Sequence, residues 1–287
     1  MSEKSSYTEK AYRSREFLGS SEARPLRILA EYLEPKARFE RYHIDDTIVF
    51  FGSARIKPRD EAEKTLEAAR AAPGAAAGAA AGAHGGGDGG ELARAEMHYE
   101  LSAYYEATRE LARRLTEWSK SLDQGERRFV VCSGGGPGIM EAANRGASEA
   151  KGVNAGLGIA LPFEETGSPY ITRELAFAFH YFFMRKFWFA YLAKAFVVMP
   201  GGFGTLDELF EMLTLVQTQK VKKRMPIVLF GSKYWAEVIN LEALERYGTI
   251  SPGDAELFFR TDSVDEAFDY ITEQLTEYAL AVPGATL

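Results

Sequence analysis

A doubly wound α/β fold, one Rossmann-like parallel sheet with helices on both faces, is predicted by three features of this 287-residue sequence. Short continuous runs of Val, Ile, Phe and Ala recur along the chain, as parallel strands buried on both faces require. Segments with helical apolar spacing separate these runs. Three of the runs end in glycine-bearing turns, and ligands of such sheets bind beyond the carboxyl ends of the strands.

In chain order, the first twenty-odd residues read as a frayed polar arm. A helix follows from Ser21 to Arg41, with Leu26, Ile28, Leu29 and Leu33 on one side. Residues 1–42 thus form an N-terminal arm and helix, and residues 43–287 the sheet domain. The first strand is Thr47 to Phe51, ending at Gly52-Ser53. Ala71 to Gly90 is rich in Ala and Gly, has almost nothing to bury, and reads as a flexible insertion between two helical pieces, with His84 solvated inside it. A long amphipathic helix spans Glu91 to Lys120. Then come strand "RFVVCSG", helix "GIMEAANRGASEAKG", strand "NAGLGIALP" and the extended piece "ELAFAF". A helix from Tyr181 to Ala193 leads into strand "AFVVMP", helix "TLDELFEMLTLVQTQK" and strand "PIVLFG". One helix over "KYWAEVINLEALERYG" and a last one near Val264 to Ala279 complete the chain.

The net charge of −7 argues against a nucleic-acid polymer as partner, since phosphate-backbone binding needs a concentrated basic surface. A local pocket for a small phosphorylated ligand is compatible with it. The single cysteine, Cys132, excludes an intramolecular disulfide and a thiolate metal cluster, and its place inside a strand makes it a small core residue. The polar N-terminus lacks the apolar stretch of a signal peptide, and the most apolar segment is broken by Arg185, Lys186 and Lys194. The expectation is a cytoplasmic protein without membrane contact. His180 reads as a core or interface residue, while His43 and His98 are isolated. Glu164 and Glu165 read as solvated loop acids, and no pattern of a metal or cofactor site is present.

Three motifs carry chemistry. "CSGGGPGIMEAAN" is a strand, a glycine turn and a helix with Pro137 near its first position; its amides and helix dipole suit an anion. It matches neither the dinucleotide fingerprint nor a P-loop, and a tight strand-to-helix turn would use the same glycines. "MPGGFGTLDE" repeats that architecture, with Gly201, Gly202 and Gly204 unobstructed and a Thr205 hydroxyl able to donate to a phosphate. Thr205 and Glu208 are also spaced as a capping box, and Asp207 suits the first turn of a helix. Glu208 is therefore either a cap or a carboxylate facing the cleft. In "FFMRK", Arg185 and Lys186 interrupt an apolar run, where a buried charge needs a partner. Lys186 alone reads as snorkelling to the surface, whereas Arg185 can pair with Glu208 or a ligand.

Together, "GGGPGIMEAAN", "FFMRK" and "PGGFGTLDE" resemble the LONELY GUY (LOG) family, long mislabelled as lysine decarboxylases and similar to molybdenum-cofactor carriers. The match runs from Thr47 to Tyr247, with the insertion set aside. It implies a Rossmann-like homodimer that hydrolyses the N-glycosidic bond of nucleoside 5′-monophosphates, AMP and cytokinin nucleotides among them, without metal or cofactor. It also implies Arg185 and Glu208 as catalytic residues. Substrate contacts would come from Gly52, Ser53, Gly134, Gly135, Gly136, Gly138, Met184, Lys186, Pro200, Gly201, Gly202, Gly204 and Thr205. Short members of the family carry Met-His before the arginine pair; Phe183-Met184 here resembles the longer bacterial branch. On this reading Arg185 keeps Glu208 ionised, because a nearby cation lowers a carboxylate pKa. The other class the motifs allow is a non-catalytic carrier of a phosphorylated cofactor or a nucleotide sensor. Lysine decarboxylation is a weak third, as no lysine has a convincing pyridoxal-phosphate setting.

Overall fold

The computed structural model describes residues 9–72, 88–122, 127–160 and 167–284. Seven parallel strands form one sheet in the order β4-β3-β2-β1-β5-β6-β7. They are β1 (Thr47–Phe51), β2 (Val130–Ser133), β3 (Asn154–Ile159), β4 (Ala176–Phe179), β5 (Ala193–Val198), β6 (Ile227–Phe230) and β7 (Phe259–Thr261). Strand order runs outward in both directions from β1, which pairs with β2 on one side and β5 on the other. The crevice beyond the ends of β1 and β5 is thus the topological switch point of the sheet.

Alternation along each strand builds two cores. Ile48, Phe50, Val131 and Val197 face helices α4 (Asp88–Ser121), α5 (Ile139–Glu149) and α10 (Val264–Tyr278). Val49, Phe51, Cys132 and Val198 face the opposite layer, which contains α6 (Phe182–Leu192) and α7 (Phe203–Gln217). Every residue of β1, β2, β5 and β6 is buried, which is why these strands read as largely apolar runs, the buried Lys194 of β5 being the one charge among them. At the amino end of the sheet, Asp46 accepts from Arg128 Nε at 2.8 Å, and Arg128 donates on to the Ala279 and Leu280 carbonyls, tying down the end of α10.

Several elements differ from the sequence expectation. The arm is not frayed throughout: α1 (Arg15–Gly19) forms before α2 (Arg24–Arg41), with the Ser14 hydroxyl capping its first turn. The packed face of α2 is Ile28, Tyr32, Pro35 and Phe39, not the leucines; Leu26, Leu29 and Leu33 are about half exposed. α3 (Arg59–Ala71) and α4 flank the Ala/Gly-rich insertion as expected, but residues 73–87, His84 included, lie outside the described residues. The expected single helix after β6 is two, α8 (Ser232–Val238) and α9 (Leu241–Arg246), because the Asn240 side chain caps a new start. Strand β7 was not anticipated. His180 is exposed, and Cys132 is buried in the core, where burial pushes its thiol pKa up. Glu164 and Glu165 lie outside the described residues. No helix among the described residues is long and apolar enough to cross a membrane.

Candidate active site

The three glycine-bearing turns converge at the switch point, and Ser53 joins them. Its amide donates to the Pro200 carbonyl at 3.0 Å, and its carbonyl accepts from the Ile139 amide at 3.1 Å. Gly138 is fixed by this contact: its φ is +69°, and a Cβ there would stand 2.4 Å from the Ser53 carbonyl oxygen. Pro137 accordingly sits outside α5, ahead of the Gly138 cap. Gly135, at φ +74°, is tied back to the strand: its amide donates to Ser133 Oγ, which donates to Asn144, and Asn144 donates to Asn154. This buried polar chain under the first motif had no signal in the sequence beyond the residue types themselves. Two amides of that motif are therefore engaged internally, so it is the less open of the two anion candidates.

The second motif differs. α7 starts at Phe203 with Gly202 as its cap, and no side-chain cap bond forms there among the described residues. An uncapped helix start carries orphan donors and the positive end of the dipole. Gly201 is needed for packing, since a Cβ there would meet Thr205 Oγ1 at 2.1 Å. Gly202 and Gly204 have open space on that side and no positive φ. Nothing among the described residues requires these two to be glycine. Close approach of a bound group would.

The capping-box reading of Thr205 and Glu208 fails on this geometry. With Gly202 as the cap, Thr205 is already the third helical residue, and Glu208 falls in the second turn. Glu208 is only 4% exposed and lines a cleft of about 750 Å³. Neither of its oxygens has a hydrogen-bond partner among the described residues. Arg185 approaches one oxygen and Lys186 the other, each at 3.6 Å. Burial is the largest influence on this carboxyl and pushes its pKa up to about 7, with Lys186 and Arg185 pulling it back only in part. The expectation that Arg185 keeps Glu208 firmly ionised is thereby corrected: desolvation outweighs the two cations.

Arg185 lies over the Phe182 and Phe189 rings, 5.1 and 5.7 Å from their centroids, and these rings form the apolar wall of the cleft with Ile159, Met140 and Leu206. Lys186 does not snorkel. It sits at 2.9 Å from Asp207 and 2.7 Å from Glu211 and does not itself line the cleft. Burial works against its charge, but the hydrogen bonds it donates to those two carboxylates hold its pKa above the ordinary value.

Of the sequence-derived site residues, Gly52, Ser53, Gly134, Gly136, Arg185, Gly201, Gly202, Gly204, Thr205 and Glu208 line this one cleft. Gly135, Gly138, Lys186 and Pro200 do not line it, and Met184 faces a separate apolar groove between α2 and α6. Arg55 and Tyr234 also line the cleft and were not anticipated. Arg55 follows the Gly52-Ser53 turn directly, whereas Tyr234 arrives from α8, too far along the chain for spacing to reveal it. The Tyr234 hydroxyl donates to the Gly201 carbonyl at 2.7 Å, bracing the loop. Among the described residues no lysine lines the cleft; Lys194 and Lys223 donate to backbone carbonyls elsewhere. Among the described residues no group of three or more His, Cys, Asp or Glu could hold a metal ion.

A family model described as "Possible lysine decarboxylase" matches residues 140–271, which include Arg185, the second glycine motif and Glu208. Cytokinin riboside 5′-monophosphate phosphoribohydrolase LOG7 of Arabidopsis thaliana is 28% identical over 165 residues, covering 52% of this chain and 74% of that protein. The LOG enzyme of Oryza sativa subsp. japonica is 26% identical over 185 residues, covering 63% of this chain and 71% of that protein. Among solved structures, the structural-genomics protein TM1055 aligns with 79% of this chain and 99% of its own at 20% identity and a TM-score of 0.44. The molybdenum cofactor carrier protein of Chlamydomonas reinhardtii aligns with 60% of this chain and 88% of its own at 19% identity and a TM-score of 0.38. The resemblance carried by the three motifs thus recurs in the sequence comparisons, where this chain is similar to phosphoribohydrolases of the LONELY GUY (LOG) family.

Proposed function

We propose that this protein hydrolyses the N-glycosidic bond of a nucleoside 5′-monophosphate, AMP being the reference substrate, to free base and ribose 5-phosphate. The observation that carries this reading is Glu208: a buried carboxylate with unbonded oxygens, aimed into a cleft between a cation and an uncapped helix start. A fold does not keep such a group for stability, because burying a carboxylate that accepts no hydrogen bond is costly even beside cations.

The chemistry follows from the geometry. The phosphate sits at the start of α7, taken by the amides of the Gly202–Gly204 turn and the Thr205 hydroxyl. That anchor sets the ribose against Glu208 and the base against the apolar wall. The bond from C1′ to the base nitrogen breaks with its electron pair leaving on the base, and positive charge develops at C1′. Glu208 stabilises that charge and accepts a proton from the water whose oxygen bonds to C1′. The departing base takes up a proton from solvent and Glu208 returns its own to solvent, so one water is consumed per turnover. Arg185 holds the ribose or phosphate and steadies Glu208. Residues 43–287 form the catalytic domain and 1–42 its covering arm, in a cytoplasmic homodimer. The exposed Leu26, Leu29 and Leu33 of α2, together with the half-exposed Phe182 and Phe183, support a self-association surface.

A panel of nucleoside 5′-monophosphates and nucleosides, with free base quantified, tests this function. Base release from AMP and none from adenosine is expected, since the nucleoside lacks the anchoring group. Equal rates on both would contradict the phosphate site, and tight nucleotide binding with no release from any substrate would point to a carrier or sensor.

A further inference from the structure

We propose that Glu31, on the N-terminal arm, is a positioning residue for Arg185, acting as a cap supplied from another helix; this rests on the catalytic reading of Arg185 above. α6, the helix that carries Arg185, has a deficient start. Its cap residue is Tyr181, which makes no side-chain capping bond, and its first turn contains no acidic residue. In a capping box, a carboxylate in the first turn reaches back to the amide of the cap residue. Glu31 does this from α2: one carboxylate oxygen accepts from the Tyr181 amide at 3.2 Å, and the other from the preceding His180 amide at 2.8 Å. The same residue grips α6 a second time. Its backbone carbonyl accepts from Trp188 Nε1 at 3.0 Å.

Arg185 lies between these two attachments. The Tyr181 carbonyl accepts from the Arg185 amide at 3.2 Å, so the residue pinned by Glu31 is hydrogen-bonded directly to the backbone of Arg185. At the other end of α6, Lys223 donates to the Ala190 and Tyr191 carbonyls at 3.0 and 3.1 Å. The helix is therefore held by an anion at its positive end and an amine donor at its negative end, each on a different element. Such a clamp fixes where α6 sits along its own axis. The separation of Arg185 and Glu208 depends on that placement, because α6 and α7 touch the cleft from independent directions. Tyr32 and Phe39 of the arm pack on Trp188 with centroids 5.9 and 5.6 Å away, giving the carboxylate a rigid base.

The test compares Glu31→Ala, Glu31→Gln and a control in the same arm, Arg38→Ala. Arg38 fastens α2 to the Glu174 and Ala176 carbonyls without touching α6. For AMP hydrolysis, Glu31→Ala is expected to lower kcat about tenfold with KM changed less than twofold, Glu31→Gln to recover only part of the rate because its single amide oxygen replaces one of the two acceptors, and Arg38→Ala to leave kcat within twofold. In an Arg185→Lys background, Glu31→Ala should cost far less than tenfold, since two residues acting through one group are not additive. An unchanged kcat in Glu31→Ala, or an equal loss in both backgrounds, overturns the proposal. Amide hydrogen exchange gives a readout that needs no substrate. Exchange at Tyr181 to Arg185 should accelerate in Glu31→Ala and not in Arg38→Ala, and unaltered exchange there overturns the proposal whatever the enzyme's activity. A wild-type protein that releases no base, yet shows the exchange difference, would strike the catalytic reading and leave the cap.

Discussion

Glu208 makes opposite demands on the fold and on the chemistry, and pH separates them. Its pKa is raised by burial from 4.5 to about 7, so the native state holds an extra proton between those values. The stability tied to that proton is fully present below pH 4.5 and is lost as the pH rises through about 7. Glu208→Gln should therefore raise the melting temperature at pH 8, by up to roughly 3 kcal/mol of stability, and give no gain at pH 4. Thermal denaturation at the two pH values checks this, and equal effects at both would contradict it. Turnover needs the ionised form, so kcat/KM should fall about tenfold per pH unit below about 7. A profile flat from pH 5 to 8 would remove Glu208 as the base. At this scale the sequence was readable but ambiguous. Thr-x-x-Glu describes a cap or a cleft carboxylate equally well, and only the register of α7, starting two residues before Thr205, separates them. Burial of Lys186 was not readable, because its three acidic neighbours converge only once α6 and α7 are packed.

The elements around the cleft show which glycines belong to the fold. Gly201→Ala should destabilise by about 1–3 kcal/mol, as the new methyl collides with the Thr205 side chain. Gly204→Ala meets no atom within 4 Å and improves helix propensity, so its melting temperature should hold or rise. It should nevertheless raise the KM for AMP at least tenfold, because the methyl occupies the space proposed for the phosphate. Calorimetry alongside kinetics checks the pair, and a Gly204→Ala variant with normal KM would argue that the turn holds no ligand. The strands that were legible are those buried on both faces. β7 escaped notice because its three residues, Phe-Arg-Thr, include an exposed arginine and present no apolar run. The break between α8 and α9 was written in Asn240, a strong cap residue, but the apolar spacing continues across it.

For the molecule as a whole, alternation of apolar runs and amphipathic segments sufficed for the layered sheet, since parallel order and right-handed crossovers leave few alternatives. The docking of the arm was not legible: α2 turns its aromatic and proline face inward and leaves three leucines half exposed. Sedimentation at low micromolar concentration should show a dimer, and Leu29→Glu with Leu33→Glu should shift it toward monomer. A wild-type monomer with full activity would contradict the association. The central claim is that one buried carboxylate converts a nucleotide cleft into a hydrolase. Its most direct test is adenine release from AMP by wild type and Glu208→Gln, with AMP affinity measured on both. The account predicts a rate lower by about 100-fold or more in the variant with affinity within a few-fold of wild type. Near-normal adenine release by Glu208→Gln would contradict it.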